Sequence, residues 1–286
     1  MGKEGNNRMN KFSVDDLLKR ALIEDIGLGD ITSETIFTEN HTSKGYLLAK
    51  QDMTVAGKEV FLRVFSLLDE NVKIVFQCND GDRVKTGQKF AHLQGPTRSL
   101  LTGERVALNF LQRLSGIATE TSRYVDACGK HKTVIADTRK TTPGLRILEK
   151  YAVTVGGGKN HRYGLDAMVL IKDNHIKAAG GILPAVTKVR SRISPFIKIE
   201  VETETLNQVQ NALEAKADVI MLDNMSLPMI QEAVKLINHQ ALVEVSGNVT
   251  LERIHELAMT GVDIISSGAL THSVKAADIS MKMEES

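Results

Sequence analysis

Arg139, Lys140, His161, Arg162 and Lys172 fall close together in the chain, and two carboxylates, Glu202 and Asp223, follow them at the ends of apolar runs. Arginine offers a planar fork that grips a carboxylate or phosphate through two parallel bonds, whereas lysine supplies a compact charge. Paired carboxylates beside such cations suit Mg²⁺ or the hydroxyls of a ribose. Two further stretches, Ser246-Gly247-Asn248 and Ser267-Gly268-Ala269, each stand between a strand-like run and a helical pattern, beginning at Thr250 and at about Thr271. Backbone N–H groups and a hydroxyl at such places make an anion site. The set as a whole points to chemistry on anionic, phosphate-bearing small molecules. The plainer alternatives are a solvated basic face, ion-pair partners for its lysines and arginines, and two ordinary turns.

What must position these residues is a β/α alternation that begins near Thr133. Apolar runs at 134–136, 168–171, 196–201, 219–222, 242–245 and 263–265 are separated by helical segments. Near-continuous Val/Ile/Leu runs suit strands buried on both faces, which predicts a parallel sheet. Each run ends in polar residues: Asp137-Thr138-Arg139-Lys140, Lys172-Asp173-Asn174-His175, Glu202, Asp223-Asn224, Ser246-Gly247-Asn248 and Ser266-Ser267-Gly268. In a parallel barrel the C-terminal strand ends carry the active site, and the last two strands commonly hold a phosphate. The period of two puts Lys198, Glu200 and Glu202 on one inward face, and likewise Glu244 with Ser246.

The earlier half reads as a smaller α+β region. A tail over 1–11 precedes a helix that Ser13 is placed to cap, with Asp16 in its first turn. Strand-like runs at 45–50, 53–57 and 72–77 follow, with a helix over 58–68 and a long, mostly helical stretch over 97–128. The expected division is a sandwich domain over 12–128, onto which a terminal helix can pack back, and a barrel domain over 129–286. The segment Asn79 to Gln88 resembles half of a biotinyl or lipoyl carrier, but a carrier needs a lysine at a hairpin tip. Lys282 has no strand-like run around it, so a tight Asp-Gly turn is expected instead.

Several function classes are excluded. Gly27-Leu28-Gly29 lacks the third glycine of a dinucleotide loop, and Gly156-Gly157-Gly158-Lys159-Asn160 lacks the Ser/Thr of a phosphate-binding Walker loop. His255-Glu256 lacks the second histidine of a zinc protease. Lys+Arg 36 against Asp+Glu 35 gives a net charge of +1, which argues against a nucleic-acid binder. The average hides a sorting: 138–172 holds seven Lys/Arg and two acids, net +5, and 200–232 one Lys and seven acids, net −6. Two cysteines, Cys78 and Cys128, fit buried apolar positions in a reducing compartment, and no apolar run reaches membrane-spanning length. A cytoplasmic protein with no membrane partner is expected.

With these residues assembled, the chain resembles the quinolinate phosphoribosyltransferases from about Phe12 to about Met281. The resemblance rests on Glu24-Asp25-Ile26-Gly27-Leu28-Gly29-Asp30-Ile31-Thr32, on Gly103 to Asn109, on Asp137 to Gly144 and on Gly156 to Arg162, with Ile171 to His175, Glu200-Val201-Glu202 and Leu222-Asp223-Asn224. It implies an incomplete parallel α/β barrel with a smaller α+β sandwich domain. It further implies transfer of phosphoribose from phosphoribosyl pyrophosphate to quinolinate with Mg²⁺, yielding nicotinate mononucleotide, CO₂ and pyrophosphate in NAD biosynthesis. By resemblance Arg105, Thr138, Arg139, Lys140, His161, Arg162 and Lys172 surround quinolinate, with Arg105 reaching in from the second subunit of a homodimer. Glu202 and Asp223 hold ribose and metal, while Ser246, Gly247, Asn248, Ser267, Gly268, Ala269 and His272 take the phosphates. Asn248 and Tyr163 are the looser matches. The alternatives left open are nicotinate phosphoribosyltransferase, a molybdenum-transport-associated homologue, and a non-catalytic sensor of phosphate ligands on the same scaffold.

Overall fold

The computed structural model of the chain describes residues 11–285. Of the tail expected over 1–11, only Lys11 falls within them, and it is helical. In chain order the elements are α1 (Lys11–Ile26), α2 (Ile31–Ile36), β1 (Thr42–Ala49), β2 (Met53–Thr54), α3 (Lys58–Leu68), β3 (Lys73–Phe76), β4 (Arg83–Val84), β5 (Lys89–Pro96) and α4 (Thr97–Ala127). There follow β6 (Val134–Ala136), α5 (Arg146–Val155), β7 (Val169–Ile171), α6 (Asp173–Ala179), α7 (Ile182–Arg190), β8 (Ile199–Thr203), α8 (Leu206–Glu214), β9 (Val219–Asp223) and α9 (Leu227–Ile237). The last are β10 (Leu242–Ser246), α10 (Ile254–Met259), β11 (Ile264–Ser266), α11 (Ala269–His272) and β12 (Ile279–Met283).

These elements form two compact units. Of the described residues, the first holds 11–122, 142–157 and 274–285, and the second holds 123–141 and 158–273. This differs from the single crossing near residue 128 that the sequence suggests, because the chain returns twice to the first unit. The final return is β12, a strand rather than a terminal helix. It pairs antiparallel with β1, in a four-stranded sheet of order β12-β1-β5-β3. Lys282 lies opposite Tyr46 within that pairing, so it does have strand neighbours and is not at a hairpin tip.

Within the first unit, Val60, Phe61, Val64 and Phe65 form the buried stripe of α3. Asp80 caps that helix, its two carboxylate oxygens accepting from Gly57 N–H (2.9 Å) and Lys58 N–H (3.0 Å). Ser13 is not a cap, since α1 already includes it and a capping residue must be non-helical. An ion pair between a partly exposed arginine and a buried glutamate holds the separate segments together. Arg113 on α4 donates from Nε (3.1 Å) and Nη2 (2.8 Å) to Glu149 on α5, and from Nη1 to the Val274 carbonyl (3.2 Å). The second Glu149 oxygen accepts from Thr142 N–H at 3.0 Å.

The second unit is a six-stranded parallel sheet of order β6-β11-β10-β9-β8-β7, with helices between its strands. The terminal strands β6 and β7 are not paired with each other, so this is an incomplete parallel α/β barrel accompanied by an α+β unit; that unit's sheet is the smaller, four strands against six, but the unit itself is not, with 140 described residues against 135. Strand β9 is buried along Val219, Ile220, Met221 and Leu222, as two-sided coverage requires. One boundary moves: β8 begins at Ile199, with Phe196 almost fully exposed and Lys198 exposed before it. Lys198 therefore does not share the inward face of Glu200 and Glu202. No helix among the described residues is long and apolar enough to cross a membrane.

Gly116 offers a test of the first unit's packing. A Cβ there would stand 2.3 Å from the Lys275 carbonyl oxygen and 3.2 Å from Ala276 Cα, both backbone atoms that cannot swing aside. Gly116→Ala should destabilise the protein by about 1–3 kcal/mol or more through overpacking, despite alanine's better helix propensity. Denaturant melts check this: a variant as stable as wild type would mean that α4 and the 275–277 segment separate freely.

Candidate active site

The C-terminal ends of the parallel strands enclose a cavity of about 580 Å³. Thr138, Arg139 and Lys140 reach it from the end of β6, His161 and Arg162 from the connection before β7, and Lys172 from the end of β7. Glu202 closes β8, Asp223 closes β9, and Ser246-Gly247-Asn248 closes β10, all lining the same space. The sequence-predicted residues are thus brought together, apart from two groups. Ser267, Gly268, Ala269 and His272 do not line the cavity; Gly268 packs behind Lys140, where a Cβ would be 2.8 Å from Lys140 Cδ and 2.9 Å from His272 Cδ2. Arg105 belongs to the first unit, exposed on α4.

The helices after the two Ser-Gly turns also differ from expectation. A short 3₁₀ turn at Leu251–Arg253 separates Thr250 from α10, and α11 starts at Ala269 and lasts four residues. Such short elements sum little dipole, so anion binding there rests on individual N–H groups and side chains.

Asp137, fully buried at the end of β6, shapes the basic wall. One of its oxygens accepts from His161 N–H (2.8 Å) and the other from Asn160 Nδ2 (2.6 Å), which fixes the turn carrying His161 and Arg162. Arg162 then donates to the Met168 carbonyl at 3.1 Å. Its guanidinium is pushed below the usual range by burial and by the nearby charge of Arg139. Two guanidiniums that repel each other in one cavity wall favour an anion between them.

Beneath that wall His161 Nε2 lies 3.0 Å from Glu200 and 3.5 Å from Glu244, both carboxylates being buried. Neither Glu200 oxygen meets a hydrogen-bond donor in good alignment, so the pairing is one of charge. Burial pulls the imidazole's pKa down, but Glu200 and Glu244 push it up and prevail, to about 10. The Arg162 backbone N–H, 2.8 Å from Nδ1, favours a lone pair there. Burial in turn raises the Glu200 carboxyl above its ordinary range, so ring and carboxylate both hold protons strongly where they meet. The ligating atoms of these three residues lie within 4.8 Å of one another. Glu244 is further held by Ser266, whose hydroxyl donates to it at 2.6 Å.

At the end of β7 Lys172 Nζ contacts Glu202 at 2.9 Å. Burial and the neighbouring Glu202 charge raise the Asp223 carboxyl above its ordinary range. Such a carboxylate pair suits a hard cation, and its all-oxygen donor set matches Mg²⁺. Leu170, Met221, Asn224, Glu244 and Ser266 line the cavity as well, though motif reading assigned them no role. Strand parity was the available signal for Glu244; for Leu170 it is the parallel register, which sets it opposite Glu200.

The geometry can be set beside known proteins. Residues 117–282 match the C-terminal domain of quinolinate phosphoribosyl transferase and residues 30–115 its N-terminal domain. The chain is 48% identical over 273 residues to the probable nicotinate-nucleotide pyrophosphorylase (carboxylating) of Bacillus subtilis, covering 96% of this chain and 94% of that one. It is 45% identical over 292 residues to quinolinate phosphoribosyltransferase (decarboxylating) 2b, mitochondrial, of Nicotiana tabacum, covering 96% and 83%. Among solved structures, NadC from Streptococcus pyogenes superposes with a TM-score of 0.93 at 45% identity, covering 96% of this chain and 97% of that one. Both halves of the chain, and the fold that carries its basic and acidic walls, are accounted for by a single family: this chain belongs to the quinolinate phosphoribosyl transferases.

Proposed function

We propose that the cavity of the second unit transfers phosphoribose from phosphoribosyl pyrophosphate to the ring nitrogen of quinolinate, with loss of CO₂, as a step of NAD biosynthesis. The observation that carries this is that one cavity is lined both by Arg139, Lys140, His161 and Arg162 and by the carboxylates of Glu202 and Asp223. The basic wall, with Thr138 and Lys172, takes the two carboxylates of quinolinate. Glu202 and Asp223 take the ribose hydroxyls and would hold Mg²⁺, which when bound neutralises phosphate oxygens of the donor. Ser246, Gly247 and Asn248 take phosphate directly, while Gly268 and His272 pack beside Lys140 outside the cavity lining.

The reaction follows from charge. The pyridine nitrogen forms a bond to the ribose C1 as the bond from C1 to the pyrophosphate oxygen breaks, and the acidic wall stabilises the positive charge that develops on the ribose. The ring nitrogen is then cationic and accepts the electron pair released when the adjacent C–C bond breaks to give CO₂. A proton from solvent fills the vacated ring position, leaving nicotinate mononucleotide and pyrophosphate. No protein nucleophile is needed. Arg105, exposed and on the other unit, reaches the site of a second copy in a homodimer. The two buried, unoxidised cysteines suit the cytoplasm.

If the basic wall selects a dicarboxylate, purified protein should release pyrophosphate with quinolinate and not with nicotinate. One carboxylate's contacts, at roughly 1.5–3 kcal/mol per charged hydrogen bond, correspond to at least about tenfold in affinity. Calorimetry should show that loss for nicotinate, and for quinolinate with Arg139→Ala or Arg162→Ala; Arg→Lys should not restore binding because the fork is gone. Equal affinity for the two acids would promote the monoacid enzyme instead. Asp223→Asn should depress turnover by well over about tenfold while leaving quinolinate affinity near wild type, in keeping with loss of transition-state stabilisation. Near-normal turnover at saturating Mg²⁺ would remove Asp223 from the donor site. Finally, mixing inactive Arg105→Ala chains with inactive Lys172→Ala chains should recover activity in hybrid dimers; verified hybrids without activity would place both defects in one site.

A further inference from the structure

Asn224 follows β9 in a left-handed conformation (φ 53°), which asparagine tolerates better than other side chains except glycine. Its amide has a single workable orientation. An ionised carboxylate only accepts, so the Asn224 nitrogen must be the atom facing Asp223 Oδ2, at 2.9 Å. Oδ1 is then free to accept from Asn248 Nδ2, at 3.0 Å. The backbone N–H of Asn224 donates to the Ser246 carbonyl at 3.1 Å, extending a pairing in which Asp223 stands opposite Ser246. Between these bonds the side chain lies against Gly247, where a Cβ would come within 2.3 Å of Asn224 Oδ1. Gly247 also has φ 84°, so side chains are strained there twice over. One residue therefore touches the carboxylate that ends β9 and all three residues of the loop that ends β10.

We propose that Asn224 is a positioning residue for the phosphoribosyl donor, fixing the spacing between the carboxylate of Asp223 and the Ser246-Gly247-Asn248 loop. The inference rests on the assignment of those groups to the donor made above. Ribose and phosphate are thereby held by one rigid piece at the middle of the sheet. The dicarboxylate wall, built from the ends of β6 and β7 at its two edges, does not depend on this clasp.

The test uses the full-length enzyme. Asn224→Gly keeps the left-handed backbone accessible and removes both side-chain bonds. Asn224→Asp keeps an acceptor for Asn248 but sets a second carboxylate against Asp223. A lost hydrogen bond to a charged group corresponds to about tenfold or more, so Asn224→Gly should raise the KM for phosphoribosyl pyrophosphate by at least that factor. Quinolinate affinity, measured by calorimetry without the donor, should stay within about twofold, as sites without shared partners behave independently. Asn224→Asp should be worse than Asn224→Gly. Asn248→Gly, which leaves the Asn224 backbone untouched, serves if Asn224→Gly melts early: it should raise the donor KM less than Asn224→Gly does. The double variant should be no worse than about twofold beyond Asn224→Gly, because both changes remove the same bond. A donor KM unchanged in Asn224→Gly, or a loss of quinolinate affinity as large as the rise in donor KM, would overturn the proposal. Wild-type protein that releases no pyrophosphate would instead sink the functional reading on which it stands.

Discussion

The parallel register of six strands is the constraint on which the rest of the site depends. Because the strands run the same way, every C-terminal end emerges at one edge of the sheet, and the helices between them must cover its faces. Register does more than gather the ends. Glu200 stands opposite Leu170 and Val219, Glu202 opposite Met221, and Ser246 opposite Asp223. A slip of one residue in β8 or β10 would turn Glu200, Glu202 and Glu244 from the cavity side into the layer of helices. The apolar residues that alternate with them, Ile199, Val201, Val243 and Val245, are all buried and oppose such a slip.

A second layer of order is electrostatic. Asp137, Glu200 and Glu244 are buried acids, and such groups persist only when paired. Each finds its partner in the basic wall or the turn that carries it: the His161 N–H and the Asn160 amide for Asp137, the His161 ring for the other two. These acids orient the cations without cancelling them. Arg162 still feels the repulsion of Arg139, and Asp223 that of Glu202, so each wall remains incomplete in itself. An anion bound between the guanidiniums relieves the first of these repulsions, which is how a preorganised site recovers in binding what folding withheld.

Much of this was legible in the residues. The strand at 134–136 and the helix over 58–68 agree with β6 and α3 to the residue, since apolar runs bounded by polar ends and a clear helical stripe leave little choice. Eleven of the residues assigned by sequence line the cavity, because strand ends are readable wherever an apolar run stops. Long-range pairing was not legible. Strand β5, whose Gln94, Gly95 and Pro96 break the apolar pattern, and β12, with Lys282 in its middle, owe their state to β1 rather than to local preference. The charge sorting also misled in part: Arg146 and Lys150, counted in the basic stretch, belong to the first unit, leaving the cations of the β6 and β7 ends to define the wall. Asn224 escaped notice as a role-bearing residue because its bonds run to side chains that only the fold brings near.

The pairing of β12 with β1 bears on how the chain is made. On a ribosome β1 emerges early, with one edge of its backbone hydrogen-bonding groups open until residues 279–283 arrive. An open strand edge is a template for pairing with other chains, and contacts distant in sequence form slowly. The whole barrel must be synthesised before the first unit can seal its sheet. The N-terminal unit is thus the first to be translated and the last to be finished, and the nascent chain is most vulnerable to misassociation while its catalytic half is still being built.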